Sequence, residues 1–263
     1  MSQFTINPLL EKIKIPGESF KLPSSGVFYK DGELASHIKN GEIHIYPMTT
    51  IDEIVIKSPD KLMNGDAIKE VFSRCVPDIM KPGQLFTQDI DFILACLRKV
   101  SFGSEISMSY THSCEDAKEH SYSILIDDFL KRTTSVDNIV FNNSFELKLD
   151  NGQVVKLSPL RYDEFIEQSR AQLNKDNMAT AESLRDHIVK TTSDVINSVD
   201  NINDKTMIRE WLTALPVLYL KQIFKGLEQC SKWGVIFEET VKCKDCQEEI
   251  IMQLPLNPLS FFS

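Results

Sequence analysis

No stretch of this 263-residue chain is long and apolar enough to span a membrane. The longest run without a charge, Ile250–Ser263, has 14 residues and two prolines, whereas a spanning helix needs ~20 apolar residues. Basic clusters are missing too. The chain carries 29 basic against 38 acidic residues, a net charge of −9, and a fold that grips a phosphate backbone needs clustered lysine and arginine. Neither nucleic acid nor a membrane is therefore expected as a partner. The N-terminal MSQFTINPLLEKIKIPG has no basic start followed by an apolar block, so no export signal is read there. An intracellular, soluble protein is expected. The six cysteines are too few for a disulfide scaffold at this length, and reduced thiols are the default. Catalytic patterns are lacking as well: no His-Glu-x-x-His helix, no nucleophile elbow and no glycine-rich phosphate loop occurs. Asp52/Glu53, Asp127/Asp128 and Glu248/Glu249 read as caps or solvated faces, and His37, His44 and His187 have no evident partner. A protein that is not an enzyme is expected.

What is present suffices for a core, since 42% of residues are hydrophobic. Over residues 1–57 prolines and turn signals predict a β-rich arm, with a first strand near Gly26–Tyr29 and a second over Gly41–Tyr46, Ile43 and Ile45 on its inner face. Residues 58–104 change to a helical period. Ser58-Pro59 is a start signal. One helix over Asp66–Cys75 carries Ile68, Val71, Phe72 and Cys75 on one face, and another, capped by Thr87, carries Ile90, Ile93, Leu94 and Leu97. Cys75 and Cys96 are expected to be buried in this region as small hydrophobes. Residues 105–160 alternate again, as two hairpins. The second, Asn143–Leu157, turns on Asn151-Gly152, a strong hairpin signal. Residues 161–232 read as helices over 161–174 and 178–199 and from Asp204, with Pro216 opening a new helix that runs to Cys230. Residues 233–263 return to strands and end in an apolar tail.

Cys243-Lys-Asp-Cys246, on a turn between two strands, is half of a structural zinc site. The redox alternative needs a helix N-terminus in a βαβ setting, which is not predicted here. The other half would come from the turn of the 105–126 hairpin, His112-Ser-Cys114-Glu-Asp-Ala117-Lys-Glu-His120. Cys114 and Ala117 occupy a Cys-x-x-Cys frame whose second cysteine is missing, and His112, His120 or Cys230 could supply a fourth ligand. The candidate set is Cys243, Cys246, Cys114 and His120, holding one structural zinc; a metal-free remnant and thiol chemistry are the alternatives. In the tail, Leu256, Leu259, Phe261 and Phe262 either fold back on their own domain or dock on a partner, with Pro255 and Pro258 preorganising the segment.

Several ordered motifs carry a resemblance. The run "NPLL…IPG…LPSSGVFY…GE", then "GEIHIYPMTTIDEI", "SPDKLMNGDAIKEVFSRCVP" and "DIDFILACLRKVSFG", with "CEDAKEHSYSI" and the ending "CKDCQEEIIMQLPLNPLSFF", resembles the baseplate hub proteins of T4-like contractile-tailed bacteriophages. The resemblance implies a hub subunit or assembly factor made late in infection, in the host cytoplasm or in the virion tail baseplate. It implies binding to other baseplate hub proteins and no catalytic residues. Where members of that family carry a cysteine pair in each knuckle, this chain has one cysteine, Cys114, in the first. The expected fold class is α+β: a β-rich arm, a helical middle and a zinc-ribbon-like module in which the 105–126 and 235–256 hairpins meet. A permanent virion subunit is the alternative to an assembly factor; a zinc- or thiol-dependent enzyme is the third reading.

Overall fold

A computed structural model describes residues 15–111, 119–136, 145–173, 180–254, 256 and 261–262. Among these residues it is α+β, with small antiparallel sheets interleaved with helices. In the arm, β1 (Glu18–Lys21) pairs with β2 (Glu42–Ile45), Phe20 opposite Ile43. The alternation read in β2 holds, with Ile43 and Ile45 inside and Glu42 and His44 outside. The first strand lies earlier than expected. Gly26–Tyr29 is a turn, because Ser25, Gly26 and Phe28 all take positive φ and cannot sustain a pleat.

One glycine holds this turn against β2. Gly41 has φ +70°, and a Cβ there would stand 2.5 Å from the Ser25 carbonyl carbon and 2.6 Å from the Gly26 nitrogen. Both obstacles are backbone and cannot rotate away. Gly32 has a similar φ, +79°, but open space around it. Gly32→Ala should therefore cost only the left-handed strain, about 1–2 kcal/mol. Gly41→Ala adds overpacking and should cost about 2–5 kcal/mol. Urea unfolding of the two variants measures the difference; equal midpoints would contradict this account.

The helical middle contains α1 (Thr50–Ile56), α2 (Pro59–Met63), α3 (Asp66–Cys75) and α4 (Thr87–Phe102). Helix α1 was not expected. Its start is a capping box, in which Thr49 Oγ1 accepts from the Asp52 N–H and the Asp52 carboxylate accepts from the Thr49 N–H. That signal is four residues long and sits in a proline-rich stretch. Helix α3 buries the predicted face. Helix α4 buries Ile90, Ile93, Leu94 and Leu97 as expected, and also Phe92, Ala95 and Cys96, so it is covered nearly all round and forms the axis of the main core. Its cap residue is Phe86, which has no capping side chain; Thr87 is already helical.

Beyond α4 follow β3 (Glu105–Thr111), β4 (Glu119–Leu125) and the unexpected short α5 (Ile126–Lys131). Strands β5 (Phe145–Lys148) and β6 (Val154–Leu157) form the predicted hairpin. Only Gly152 takes positive φ, so the loop is not a two-residue Asn-Gly turn. Leu149 O accepts from the Gly152 N–H and the Leu149 N–H donates to Gln153 O, the longer loop with glycine in the left-handed position. Helix α6 (Tyr162–Leu173) is followed by α7 (Ala181–Asp194). The helix expected to reach residue 199 stops at Asp194. Residues Ile196–Val199 instead become β7, a third strand on β6 with Val155 opposite Val199. Lys205 Nζ stabilises the break by donating to the carbonyls of Ser193 and Ile196, both at 2.7 Å. Then come α8 (Lys205–Ala214), capped by the Asp204 carboxylate on the Met207 N–H, and α9 (Val217–Cys230), opened by Pro216. They pack on the sheet in a second core centred on Val155, Ile196, Ile208 and Ile223. Phe86, Val136 and Trp233 link the cores, with Tyr29 on one flank and Phe145 on the other. Strands β8 (Glu238–Lys242) and β9 (Glu249–Gln253) form the last hairpin. Among the described residues no helix is long and apolar enough to cross a membrane.

Candidate functional site

The two knuckle hairpins meet. His120, at the start of β4, pairs through Nε2 with Asp245 Oδ2 at 2.6 Å, across 125 positions of sequence. Lys244 Nζ donates to Ser121 O at 2.6 Å and lies 5.0 Å from the centre of the Tyr122 ring. The cysteine turn is built by its own backbone: the Cys243 N–H donates to Glu248 O, and Gln247, at φ +65°, donates its N–H to Cys243 O. Cys243 is buried and Cys246 exposed. Cys114 and His112 lie outside the described residues. Tetrahedral zinc needs four converging donors. Among the described residues no group of three or more histidine, cysteine or carboxylate side chains is placed to hold a metal ion, and His120 is engaged by Asp245. Cys230, the other candidate ligand, is buried in the second core, where burial pushes its thiol up to about 12. The described residues therefore do not complete a zinc site, and no chemistry is assigned to one.

The described tail residues pack against the main core. Phe261 and Phe262 are 3% and 0% exposed, and Leu256 is half-buried beside the main core. Phe261 and Phe262 thus follow the fold-back reading; Leu259 lies outside the described residues. Arg98, which by its place in the sequence reads only as a dipole-favoured cation in the last turns of its helix, holds Phe261. Arg98, on the last turns of α4, donates from Nε to Phe261 O at 3.0 Å and from its two terminal nitrogens to Gly103 O and Glu105 O. Its guanidinium is buried, which lowers its pKa. A run ending Leu-Arg-Lys before a glycine reads as an ordinary helix end, so nothing local marked Arg98.

A second clamp joins the arm to α6. The Arg161 guanidinium donates to Glu33 Oε2 at 3.1 Å, to Gln84 O at 2.7 Å and to Phe28 O at 3.4 Å, and stacks over Phe86. Close by, Tyr29 donates its hydroxyl to buried Asp89 at 2.6 Å while accepting from the Phe86 N–H. Burial raises the Asp89 carboxyl to about 6, against the hydrogen bonds from Ser24 and Tyr29.

His37 and His44 do have partners. His37 Nε2 lies 2.9 Å from Asp78 Oδ1, and His44 Nδ1 lies 3.0 Å from Ser19 Oγ. The set is not a serine–histidine–aspartate relay. Asp78 accepts from the backbone N–H of His44 and pairs with a different imidazole, so it does not orient the ring that faces Ser19.

A cleft of about 700 Å³ lies between α4 and α6. Its walls are mostly apolar, including Ile90 and Leu94 from α4, Phe165 and Ile166 from α6, and Leu256 from the tail. Asp91, one helical turn before Leu94, is the one carboxyl group among the described lining residues. Burial alone pushes its carboxyl up to about 7. The isolated Asp91 in DIDFILACL looked like one more polar residue on a helix; what marks it is the neighbourhood supplied by α6.

A family model described as T4 bacteriophage base plate protein matches residues 21–263. No curated protein and no solved structure matches the chain.

Proposed function

The chain belongs to the T4 bacteriophage base plate protein family, and from this premise we propose that it acts in assembly of the baseplate hub through contacts with other hub proteins. A base plate protein is a structural component of the phage and works among other base plate proteins. The finer reading rests on one observation, that large apolar side chains stand in solvent on separate helices. Ile51 and Ile54 on α1 are 68% and 67% exposed, and Val217 and Leu218 at the start of α9 are 66% and 61% exposed. Exposed apolar clusters of this kind mark interaction surfaces. Cys75, Cys96 and Cys230 are buried, with thiols pushed up by burial, the reverse of a nucleophile.

Assembly would begin in the host cytoplasm, with the protein either leaving or staying in the tail. Tagged protein purified from infected cells should co-elute with hub subunits at fixed stoichiometry. Failure to bind any of them in a pairwise screen would refute the assembly role. Mass spectrometry of purified virions separates a departing factor, absent from particles, from a permanent subunit.

A further inference from the structure

We propose that the α4–α6 cleft is the docking site for a segment of a second base plate protein, one that presents a lysine or arginine among apolar side chains. The inference rests on the assembly reading and gives it a surface and a partner chemistry.

Size and shape come first. About 700 Å³ lies within the ~300–1,000 Å³ of cavities that engulf ligands or anchor side chains. The cleft is preformed by close backbone approaches. A Cβ on Gly65, between α2 and α3, would stand 2.6 Å from the Ile166 side chain, and one on Gly83 would stand 2.1 Å from the Asp163 carboxylate. Side chains of α6 therefore pack directly against the glycine backbone before α3 and in the Pro82–Gln84 turn, beside the cleft. The lining residue Phe165 is 44% exposed, and Met63, next in sequence to the lining residue Leu62, is 64% exposed. These two extend an apolar rim outward.

Charge then selects the occupant. Asp91 is the one acidic or basic side chain among the described lining residues, and it is half-buried there. A wholly apolar occupant would desolvate that carboxyl further without pairing it, and an acidic one would repel it. A cationic side chain supplies a charge-assisted hydrogen bond in a low-dielectric setting. The partner's neighbouring apolar groups would then cover Phe165 and Ile166. A second copy of this chain is disfavoured, because two molecules of net charge −9 repel on approach.

The test uses the full chain made during infection, with Phe165→p-benzoylphenylalanine as a photo-crosslinker and Val217→p-benzoylphenylalanine as a distant reference on α9. Crosslinked peptides are identified by mass spectrometry. The Phe165 position is expected to capture a base plate protein at a segment with a lysine or arginine among apolar residues. Adding Asp91→Asn, which keeps shape and removes charge, should lower that yield about tenfold, as loss of one charge-assisted bond predicts, while the Val217 yield stays unchanged. A melting temperature no lower than that of the parent confirms that the Asn variant is folded. Capture of base plate proteins from Val217 but not from Phe165 overturns the cleft proposal and leaves the assembly role standing. So does a Phe165 crosslink to this chain's own residues or to a second copy, or a yield that ignores Asp91→Asn. Absence of any base plate protein from both positions and from the co-elution overturns both.

Discussion

Phe262→Ala should destabilise the protein by about 3–5 kcal/mol, the range for deleting a fully buried phenylalanine ring. Phe262 has no exposed surface. Its ring meets Phe261 edge-on, with centroids 5.2 Å apart, and lies 6.3 Å from Phe102. The space left by the ring cannot readily collapse, because Phe261 is tied through its carbonyl to Arg98. Urea unfolding followed by tryptophan fluorescence gives the midpoint. A mobile docking tail would predict almost no change, so the measurement decides between the two readings of the C-terminus. If the midpoint does not move, the tail is not part of the core in solution.

Arg161→Met should cost a similar amount, about 3–5 kcal/mol, for an electrostatic reason. Glu33 is 5% exposed, and Arg161 is its one ion-pair partner among the described residues. Removing the guanidinium strands a buried carboxylate and also leaves the carbonyls of Gln84 and Phe28 without that donor. The companion change Glu33→Gln removes the stranded charge. The double variant Glu33→Gln with Arg161→Met should therefore recover about 1–3 kcal/mol relative to Arg161→Met alone. A double-mutant cycle in urea reads the coupling directly. Additive effects would mean that the pair is solvated and contributes little, as surface pairs do. The clamp bears on the proposed docking cleft because Arg161 immediately precedes α6, which forms one wall of it.

These sites differ in how visible they were before folding. The Ile43/Ile45 alternation, the buried face of α3 and the break at Pro216 are local patterns, and each was legible. So was the meeting of the two knuckle hairpins, because an unpaired cysteine turn invites a second half. Strand β7 was not legible. INSV follows a helix without a break in polarity, and it becomes a strand only because β6 offers it an unpaired edge. Helix α1 was masked by the extended character of the arm around it. Arg98, Glu33 and Asp91 are charged residues in sequence surroundings that read as solvent-facing, and what sets them apart is tertiary: Arg98 and Glu33 are buried, and Asp91 is half-buried in the cleft wall.

The amino-acid order by itself determined the α+β class, the periods of its main helices and strands, the acidic net charge and the kinship with base plate proteins. These depend on spacing and composition, which act over a few residues or over the whole chain. Tertiary structure alone decided where the tail rests, which charges are buried and where the cleft opens. Those outcomes arise when segments more than 60 positions apart desolvate one another, and no short-range pattern encodes the neighbour that will arrive.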